Sequence, residues 1–258
     1  MHQEFRTALV TGASSGIGEA FAALLAARGT DLVLVARRAD LLERLAGRLA
    51  ERHRVGVQVL PADLTDPAQL ERVERKLRGE PVDLLINNAG YGAFGAFAEI
   101  PLEDQLKEID LNVRAVVRLT YAALPSMIER GRGGVLNVAS MSAFTPSPGS
   151  ATYGATKAYV QAFTESLHAE LQGKGVHVTA LCPGFTRTDE TAGPNLLWLR
   201  RVDVARAGLE AVAAGRALCV PGGQYKALLP LLRLAPRFLL RSAVNRAWQL
   251  AAETKIGD

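Results

Sequence analysis

The chain has 258 residues, of which 48% are hydrophobic and 22% charged, and its formal net charge is +4. This composition fits one folded domain over residues 1–258 and argues against disorder. No apolar run is long and uncharged enough to cross a bilayer, and no secretory signal is visible, so we expect a cytoplasmic protein. Cys182 and Cys219 suit buried thiols rather than a disulfide framework or a metal site. The excess of basic residues is small and consists mostly of arginine. These residues are not interleaved with aromatic ones, which argues against nucleic-acid binding.

Apolar runs alternate with segments of helical periodicity along the chain. The runs predict strands at Phe5–Thr11, Asp31–Ala36, Val55–Leu60, Val82–Ile86, Gly134–Ala139 and Val176–Leu181, and a short strand before Gly222. The segments between them predict helices at Ile17–Arg28, Ala39–His53, Asp66–Arg78, Leu102–Arg130, with a kink near Pro125, and Tyr153–Gln172. Such alternation gives parallel strands joined by right-handed crossovers. The predicted architecture is a Rossmann-like α/β fold, a doubly wound parallel sheet of about seven strands with helices on both faces.

A glycine-rich turn separates the first predicted strand from the first helix. It reads Thr11-Gly12-Ala13-Ser14-Ser15-Gly16-Ile17-Gly18. Glycines let the backbone turn tightly and approach a pyrophosphate, which binds the free N–H groups at the start of the helix. Since the turn follows a strand and opens a helix, it indicates a dinucleotide site rather than an ordinary turn. We expect cofactor contacts from Gly12, Ser14, Ser15, Gly16, Ile17 and Gly18.

The spacing T-G-x-x-x-G-x-G resembles the classical short-chain dehydrogenase/reductase family, and further motifs follow in the family's order. They are Asn87-Asn88-Ala89-Gly90, Ser140, Tyr153-Gly154-Ala155-Thr156-Lys157 and Pro183-Gly184. The resemblance covers Phe5 to Thr188. It implies an oxidoreductase whose nicotinamide cofactor also contacts Asn88, Ala89, Gly90, Tyr153, Lys157, Pro183, Gly184, Thr186 and Thr188. We also expect a homodimer or a homotetramer.

The end of the second strand predicts NADP(H) rather than NAD. A dinucleotide fold reads the adenosine ribose there, with a carboxylate for NAD and an arginine for a 2′-phosphate. Here Arg37 and Arg38 follow the strand and no carboxylate does. A well-aimed arginine favours NADP by roughly ten- to a hundredfold, and we choose Arg37 over Arg38. Asp63, with Leu64 beside it, resembles the family's adenine-contacting Asp, although Asp63 could instead cap the next helix.

Tyr153 and Lys157 are four residues apart on a predicted helix, so both side chains leave one face. A phenol with an ordinary pKa near 10 is a poor base at neutral pH. A nearby ammonium stabilises the phenolate, whereas burial raises the pKa of the phenol, so we expect the cation to prevail. Tyr153 is then the acid/base of a hydride transfer.

Two further polar residues complete the predicted catalytic set. Ser140 stands thirteen residues before Tyr153, the spacing that the family shows, and can donate to the substrate oxygen. Ser142 is a rival hydroxyl two residues on. Asn112 resembles the family's fourth catalytic residue, which holds a water that relays protons to the lysine. The alternative is an exposed amide with no role in the site. No chemistry is assigned to His168 or His177.

The C-terminal part is expected to decide the substrate. A lid at about 189–202 includes Leu196, Leu197, Trp198 and Leu199, and favours a hydrophobic ketone or aldehyde. A basic, leucine-rich extension covers about 223–258, with Lys226, Arg233, Arg237, Arg241 and Arg246 and no acidic residue between Lys226 and Ala252. Three alternatives stay open for it, namely a subunit contact, a flap over the pocket and a peripheral membrane contact.

The leading hypothesis is an NADP(H)-dependent carbonyl reductase or alcohol dehydrogenase acting on a small-molecule carbonyl or alcohol. One alternative is a regulatory or redox-sensing module that binds NADP(H) without turnover. Another is dehydratase or epimerase chemistry. A pure binding module need not keep Asn112, Ser140, Tyr153 and Lys157 together, so the intact set favours the enzyme.

Overall fold

A computed structural model describes residues 5–187 and 198–254, with side chains up to residue 246. The strands of its main sheet are β1 (Thr7–Thr11), β2 (Asp31–Ala36), β3 (Val57–Pro61), β4 (Leu84–Asn87), β5 (Gly133–Val138), β6 (Val176–Leu181) and β9 (Leu218–Cys219). All seven are parallel, and they lie in the order β3-β2-β1-β4-β5-β6-β9. A second, two-stranded sheet pairs β7 (Thr186–Arg187) with β8 (Leu199–Arg200).

Nine α-helices lie within the described residues. They are α1 (Gly16–Ala26), α2 (Ala39–His53), α3 (Pro67–Gly79), α4 (Leu102–Ile109), α5 (Ala115–Glu129), α6 (Ala151–Glu170), α7 (Arg201–Ala213), α8 (Gly223–Leu234) and α9 (Arg237–Thr254). The apolar sides of α1, α2 and α7 share one core cluster with the sheet, and those of α3 and α5 share another. The prediction of a doubly wound parallel sheet with helices on both faces is confirmed.

Local sequence explains why these elements form where they do. Four residues of β2, Leu32–Val35, are buried, as a strand covered on both faces requires. On α2 the side chains of Leu42, Leu45 and Leu49, which recur at helical spacing, are buried against the sheet. Asp66 caps α3, where its carboxylate accepts hydrogen bonds from two backbone N–H groups ahead of it.

The helix predicted over 102–130 is continuous from Leu102 to Glu129, but it contains a π-turn that was not predicted. The segment 102–130 is divided into α4 and α5 by a π-turn over Asp110–Arg114, in which the N–H of Ala115 bonds to the carbonyl of Asp110. Helix α5 continues through Pro125, where a kink was predicted. Such π-turns often lie at functional sites, and this one contains Asn112.

The strand order reverses between β1 and β4, which neighbour each other at the centre of the sheet. Loops after these strands leave a crevice at their carboxyl ends, where ligands bind in open α/β sheets. The glycine turn follows β1, the Asn88–Gly90 segment follows β4, Ser140 follows β5 and Pro183–Gly184 follows β6. The fold therefore brings the sequence motifs to one edge.

Candidate active site

The glycine turn is held against the segment that follows β4. Gly12 and Gly16 have φ angles of 66° and 61°, a region that favours glycine. A Cβ on Gly12 would lie 2.8 Å from Asn88 Nδ2, and one on Gly18 would collide with the carbonyl oxygen of Gly12. These positions need glycine because the turn folds onto itself and onto its neighbour.

Asn88 and Thr11 fix this contact by hydrogen bonds. Asn88 Nδ2 donates to the carbonyl of Thr11 at 2.9 Å. The Thr11 hydroxyl accepts from the backbone N–H groups of Asn88 and Ala89, both at 3.0 Å. Ser15, the N-cap of α1, makes no side-chain capping bond. The start of α1 thus keeps backbone donors for an anion, as a pyrophosphate site requires.

The two arginines that follow β2, Arg37 and Arg38, differ in their contacts. Arg38 Nη2 donates to Ser14 Oγ at 3.2 Å and to Ser15 Oγ at 3.1 Å, so it lies over the glycine turn. Arg37 is exposed directly after β2. Arg38 is therefore the arginine whose contact with the glycine turn is seen in the structure.

Asp63 does not cap α3, since Asp66 does so. Asp63 Oδ1 instead accepts from the backbone N–H of Thr65 at 2.9 Å and from its hydroxyl at 2.7 Å. The capping alternative for Asp63 is wrong. The side chain of Leu64 is buried in the core, so only its backbone is open to a cofactor.

Ser140 begins a short 3₁₀ turn after β5. Its Oγ accepts from the backbone N–H of Ser142 at 3.1 Å and donates to Ser142 Oγ at 3.2 Å. The Ser140 side chain also lies near the phenol of Tyr153, whose pKa it influences. The predicted pair Ser140 and Tyr153 is thus brought together, with Ser142 behind Ser140.

Tyr153 lies in the first turn of α6 beneath the loop that follows Gly90. A Cβ on Gly92 would lie 2.7 Å from Tyr153 Cδ2, so the loop passes close to the ring. The ring of Phe94, 76% exposed, has its centroid 6.1 Å from that of Tyr153. The Tyr153 side chain therefore has an aromatic neighbour and a close backbone on its open side.

Burial raises the pKa of Tyr153 above its ordinary value, the nearby Ser140 side chain lowers it in part, and the charge of Glu108 raises it. The sequence argument expected the Lys157 cation to prevail over burial. In this structure burial prevails, because Lys157 Nζ lies 5.6 Å from the ring centroid of Tyr153 and donates elsewhere. Any net lowering of the Tyr153 pKa must therefore come from a further positive charge.

Lys157 is buried with Nζ donating to the carbonyl of Val138 at 2.8 Å. Burial lowers the pKa of Lys157 to about 8, against weaker raising effects of Cys182 and Glu108. A lysine that titrates near neutral pH can exchange protons at a rate useful for chemistry.

Asn112 is buried, so the alternative of an exposed amide is wrong. Its Nδ2 donates to the carbonyl of Tyr91 at 2.8 Å and to Thr156 Oγ1 at 3.1 Å. Its Oδ1 accepts from the N–H of Tyr91 at 3.2 Å. A Cβ on Gly90 would meet both Asn112 Oδ1 and Lys157 Nζ, at 2.9 and 3.2 Å. Asn112 and Lys157 thus border one narrow space at Gly90.

The segment after β6 is held in place by Tyr225, which the sequence analysis assigned only to the C-terminal extension. The N–H of Phe185 donates to the Tyr225 hydroxyl at 3.0 Å, and a Cβ on Gly184 would collide with the Tyr225 ring. Thr186 Oγ1 donates to the carbonyl of Gly184 at 3.0 Å. Thr188 lies outside the described residues.

Most of the predicted lid, including Leu196 and Leu197, lies outside the described residues. Trp198 is half-buried and Leu199 begins β8. The last two residues assigned to the lid, Arg201 and Val202, are the first two residues of α7.

The C-terminal extension forms two helices, α8 and α9. Pro236 lies between them, and Pro230 lies inside α8. Arg233 pairs with Glu165 at 3.3 Å and lies over the ring of Phe144, and Tyr225 is buried. Helix α8 is therefore packed on the domain along one side. Among the helices that the structure describes, none has the length and apolar character needed to span a bilayer. In the same residues no cluster of metal-ligating side chains is found.

Sequence reasoning missed Glu108, Gly92 and Phe94. Glu108 precedes Asn112 by four residues, which would have placed it on the same side of a continuous helix. For Gly92 and Phe94, the signal in the sequence was the apolar, glycine-containing segment that follows Gly90. His168 and His177 bond through Nδ1 to the carbonyls of Val178 and Val212, away from the site.

Comparison with known proteins identifies the family. A model of the family described as short chain dehydrogenase matches residues 6–195. Sulfoacetaldehyde reductase 2 of Chromohalobacter salexigens is 41% identical over 187 residues, which are 71% of this chain and 73% of that protein. Very-long-chain 3-oxoacyl-CoA reductase of Anas platyrhynchos is 36% identical over 186 residues, 70% of this chain, and the match spans only 60% of that reductase.

Solved structures agree in fold. A short-chain dehydrogenase from Sphingobium yanoikuyae in complex with NADPH superposes with a TM-score of 0.81 at 37% identity, over 87% of this chain and 92% of that one. The bulky-bulky ketone specific alcohol dehydrogenase from Comamonas testosteroni gives a TM-score of 0.80 at 35% identity, over 90% and 93%. With the motifs in order, the parallel sheet and these relatives, the chain belongs to the short-chain dehydrogenase family of oxidoreductases.

Proposed function

We propose that the chain is an NADP(H)-dependent oxidoreductase that interconverts a carbonyl and an alcohol, with Tyr153 as the acid/base. The observation that supports this most is the meeting of Ser140, Tyr153 and Lys157 at the carboxyl end of β5, beside the glycine turn. The donors at the start of α1 and the two arginines after β2 fit a phosphorylated dinucleotide. When bound, the nicotinamide supplies or accepts the hydride.

The chain's own residues then handle the proton. Ser140 donates a hydrogen bond to the substrate oxygen and stabilises the charge that develops there. The phenol of Tyr153 gives its proton to that oxygen in reduction and takes it back in oxidation. Lys157 stabilises the phenolate, and Asn112 holds a water beside Gly90 that returns the proton to Lys157. The positive nicotinamide of the oxidised cofactor would add to the lowering of the Tyr153 pKa.

The NADP preference rests on Arg37, Arg38 and the missing carboxylate after β2. The complexes of related proteins with NADPH or NADP support the same choice. Asp63 is free of a capping role and lies after β3, which suits a contact with the adenine.

A hydrophobic substrate fits the open side of Tyr153. Phe94, Phe97 and Phe185 are all more than half exposed in the segments after β4 and β6. Of these, Phe94 lies next to Tyr153, where an exposed aromatic ring can contact an apolar ligand. The Comamonas relative, described as specific for bulky-bulky ketones, points to the same class.

Assembly into a homodimer or homotetramer agrees with an apolar surface on α4 and α5. Leu102, Leu106 and Tyr121 are each more than half exposed there. Sedimentation velocity tests this, and Leu106→Arg should lower the mass measured. A wild-type chain that sediments as a monomer would contradict it.

The C-terminal extension keeps its three alternatives, and a membrane contact is the one most easily tested. Leu231, Leu234, Phe238 and Leu239 are more than half exposed among the basic residues. Co-sedimentation with anionic vesicles, but not with zwitterionic ones, would support that contact. A subunit or pocket role predicts no binding to either.

Turnover with Tyr153→Phe tests the main proposal. Wild-type protein should oxidise NADPH in the presence of bulky ketones, and the variant should lose at least about a hundredfold in kcat. Tyr159→Phe is the matched control, because Tyr159 is on the same helix but is 45% exposed and stacked on Phe163. Equal rates for wild type and Tyr153→Phe would reject the enzyme in favour of a binding module.

A further inference from the structure

Tyr225, in the first turn of α8, contacts the Pro183–Phe185 segment after β6 with both its ring and its hydroxyl. The side chain is buried. Its hydroxyl accepts a hydrogen bond from the N–H of Phe185 at 3.0 Å. A Cβ on Gly184 would lie 2.0 Å from Tyr225 Cζ, so the backbone of Gly184 lies against the ring. One side chain of the C-terminal extension thus contacts two consecutive residues of this segment.

The same segment is bonded to the active site and to β8. The carbonyl of Pro183 accepts from the N–H of Met141, the residue after Ser140, at 3.0 Å. The carbonyl of Phe185 accepts from the N–H of Leu199, at the start of β8, at 2.8 Å. The segment therefore connects the serine that is proposed to bind the substrate oxygen with the first turn of the C-terminal extension.

The Pro183–Phe185 segment lies between the two sheets of the molecule. The ladder of β6 and β9 reaches Cys182, whose N–H donates to the carbonyl of Cys219 at 2.8 Å. The second sheet begins at Thr186. Backbone groups that lie outside a strand ladder need partners from elsewhere in the chain. The position of the segment therefore depends on contacts such as those of Tyr225.

Helix α8 keeps Tyr225 in place. Tyr225 belongs to a buried apolar cluster that includes Phe144, and Leu229 and Leu232 of the same helix pack against that cluster. Near the end of α8, the guanidinium group of Arg233 lies 5.4 Å from the centre of the Phe144 ring. The inner side of α8 is thus fixed on the domain along its length, and the Tyr225 ring is fixed with it.

We propose that Tyr225 is a positioning residue that holds the Pro183–Phe185 segment where it closes on the nicotinamide half of the cofactor. This inference rests on the proposed function, in which the segment contacts the nicotinamide. Tyr225 acts through the backbone of Gly184 and Phe185. The C-terminal extension thereby contributes to cofactor binding through the inner side of α8.

Tyr225→Phe is the informative variant, because it keeps the ring against Gly184 and removes the acceptor of the Phe185 N–H. Isothermal titration calorimetry compares NADPH with adenosine 2′,5′-bisphosphate, which lacks the nicotinamide. The dissociation constant of NADPH should rise about three- to tenfold, the range that one lost hydrogen bond gives. That of the bisphosphate should change less than about twofold, because it reaches only the glycine turn and the arginines after β2. The kcat for ketone reduction should fall about tenfold as the nicotinamide loses its orientation.

Tyr159→Phe is the matched control. It removes a phenolic hydroxyl from an exposed ring on α6 and should bind both ligands as wild type does. A merely structural role of Tyr225 predicts that Tyr225→Phe weakens both ligands alike. That outcome, or an NADPH affinity equal to that of wild type, overturns the proposal.

Hydrogen exchange on the wild-type protein covers the case in which Tyr225→Phe does not fold. Without cofactor, the Phe185 amide should exchange at least about tenfold more slowly than an unprotected amide, because Tyr225 accepts its proton. Oxidised NADP should slow this exchange further, whereas adenosine 2′,5′-bisphosphate should not. An unprotected Phe185 amide, or an equal response to the two ligands, contradicts the proposal. Wild-type protein that binds no NADPH and reduces no ketone would instead reject the proposed function, so the two failures are distinct.

Discussion

Lys157 Nζ lies 5.6 Å from the centre of the Tyr153 ring and donates its hydrogen bond to the carbonyl of Val138 at 2.8 Å. The cation is thus anchored to the end of β5 rather than to the phenol. In this arrangement burial raises the pKa of Tyr153 and lowers that of Lys157 to about 8. Both side chains therefore favour their neutral forms more than they would in water. A bound cofactor whose nicotinamide ring is positively charged would change this balance.

The buried Lys157 should make stability depend on pH. A pKa lowered from 10.5 to about 8 corresponds to a penalty of about 3 kcal/mol for the protonated lysine in the folded state. Below about pH 8 both states hold the proton and the full penalty applies. Between about pH 8 and pH 10.5 the folded state loses the proton first, so stability rises with pH. Above that range the penalty is gone.

Lys157→Met should therefore stabilise the cofactor-free protein at pH 7 while abolishing turnover. We expect a gain of about 1–2 kcal/mol in the free energy of unfolding, since the lost bond to Val138 offsets about 1 kcal/mol. Urea titrations at about pH 7 and about pH 10 measure it. The gain should shrink at the higher pH. A variant that is equally destabilised at both pH values would show that burial does not disfavour the protonated form of Lys157.

Gly92→Ala should impair turnover by moving the Tyr153 ring. The added Cβ would lie 2.7 Å from Tyr153 Cδ2, which forces one of them to shift. Misplacing a catalytic group by about 1 Å costs up to about 100-fold in rate, and we expect a loss of about 10- to 100-fold in kcat.

The control for this prediction is Gly47→Ala on α2, where a Cβ would meet nothing within 4 Å. That variant should keep full activity and gain up to about 1 kcal/mol in stability. If Gly92→Ala kept the wild-type kcat, the close approach of the loop to Tyr153 would be of no consequence.

Cofactor choice should depend on the arginines after β2. Arg37→Ala and Arg38→Ala should each weaken NADPH binding by about 10-fold or more and NADH binding much less. Fluorescence titration with both cofactors measures this. Arg44→Ala is the control, because Arg44 is an exposed arginine on α2 whose partner is Asp40. Equal losses for NADPH and NADH would reject a 2′-phosphate contact.

The phenol of Tyr153 should titrate above its ordinary pKa in the cofactor-free protein, because burial is the largest influence on it. Ultraviolet difference titration of wild type against Tyr153→Phe isolates its tyrosinate signal. Oxidised NADP should move that titration to lower pH, since the added positive charge favours the phenolate. A titration unchanged by the cofactor would contradict the assigned role.

Much of the fold followed from patterns that act locally. The bounds of β2, α2 and β6 were predicted correctly from apolar runs and helical spacing. These signals depend on neighbouring residues only.

The missed features depend on residues far apart in sequence. Tyr225 contacts Gly184 only because α8 returns to β6. The π-turn at Asp110–Arg114 leaves no mark in hydrophobic periodicity. The aim of Arg38 at Ser14 and Ser15 depends on rotamers that spacing does not encode. Glu108 was overlooked because a lone carboxylate on a helix is usually solvated.

Transfer of deuterium tests the central claim most directly. NADPH labelled with deuterium at C4 of the nicotinamide, on the transferred face, is incubated with a bulky ketone, and the alcohol is analysed by mass spectrometry. Wild-type protein should place one deuterium on the carbinol carbon, and Tyr153→Phe should form almost no labelled alcohol in the same time. Unlabelled product, or equal labelling by both proteins, would contradict hydride transfer with Tyr153 as the proton donor.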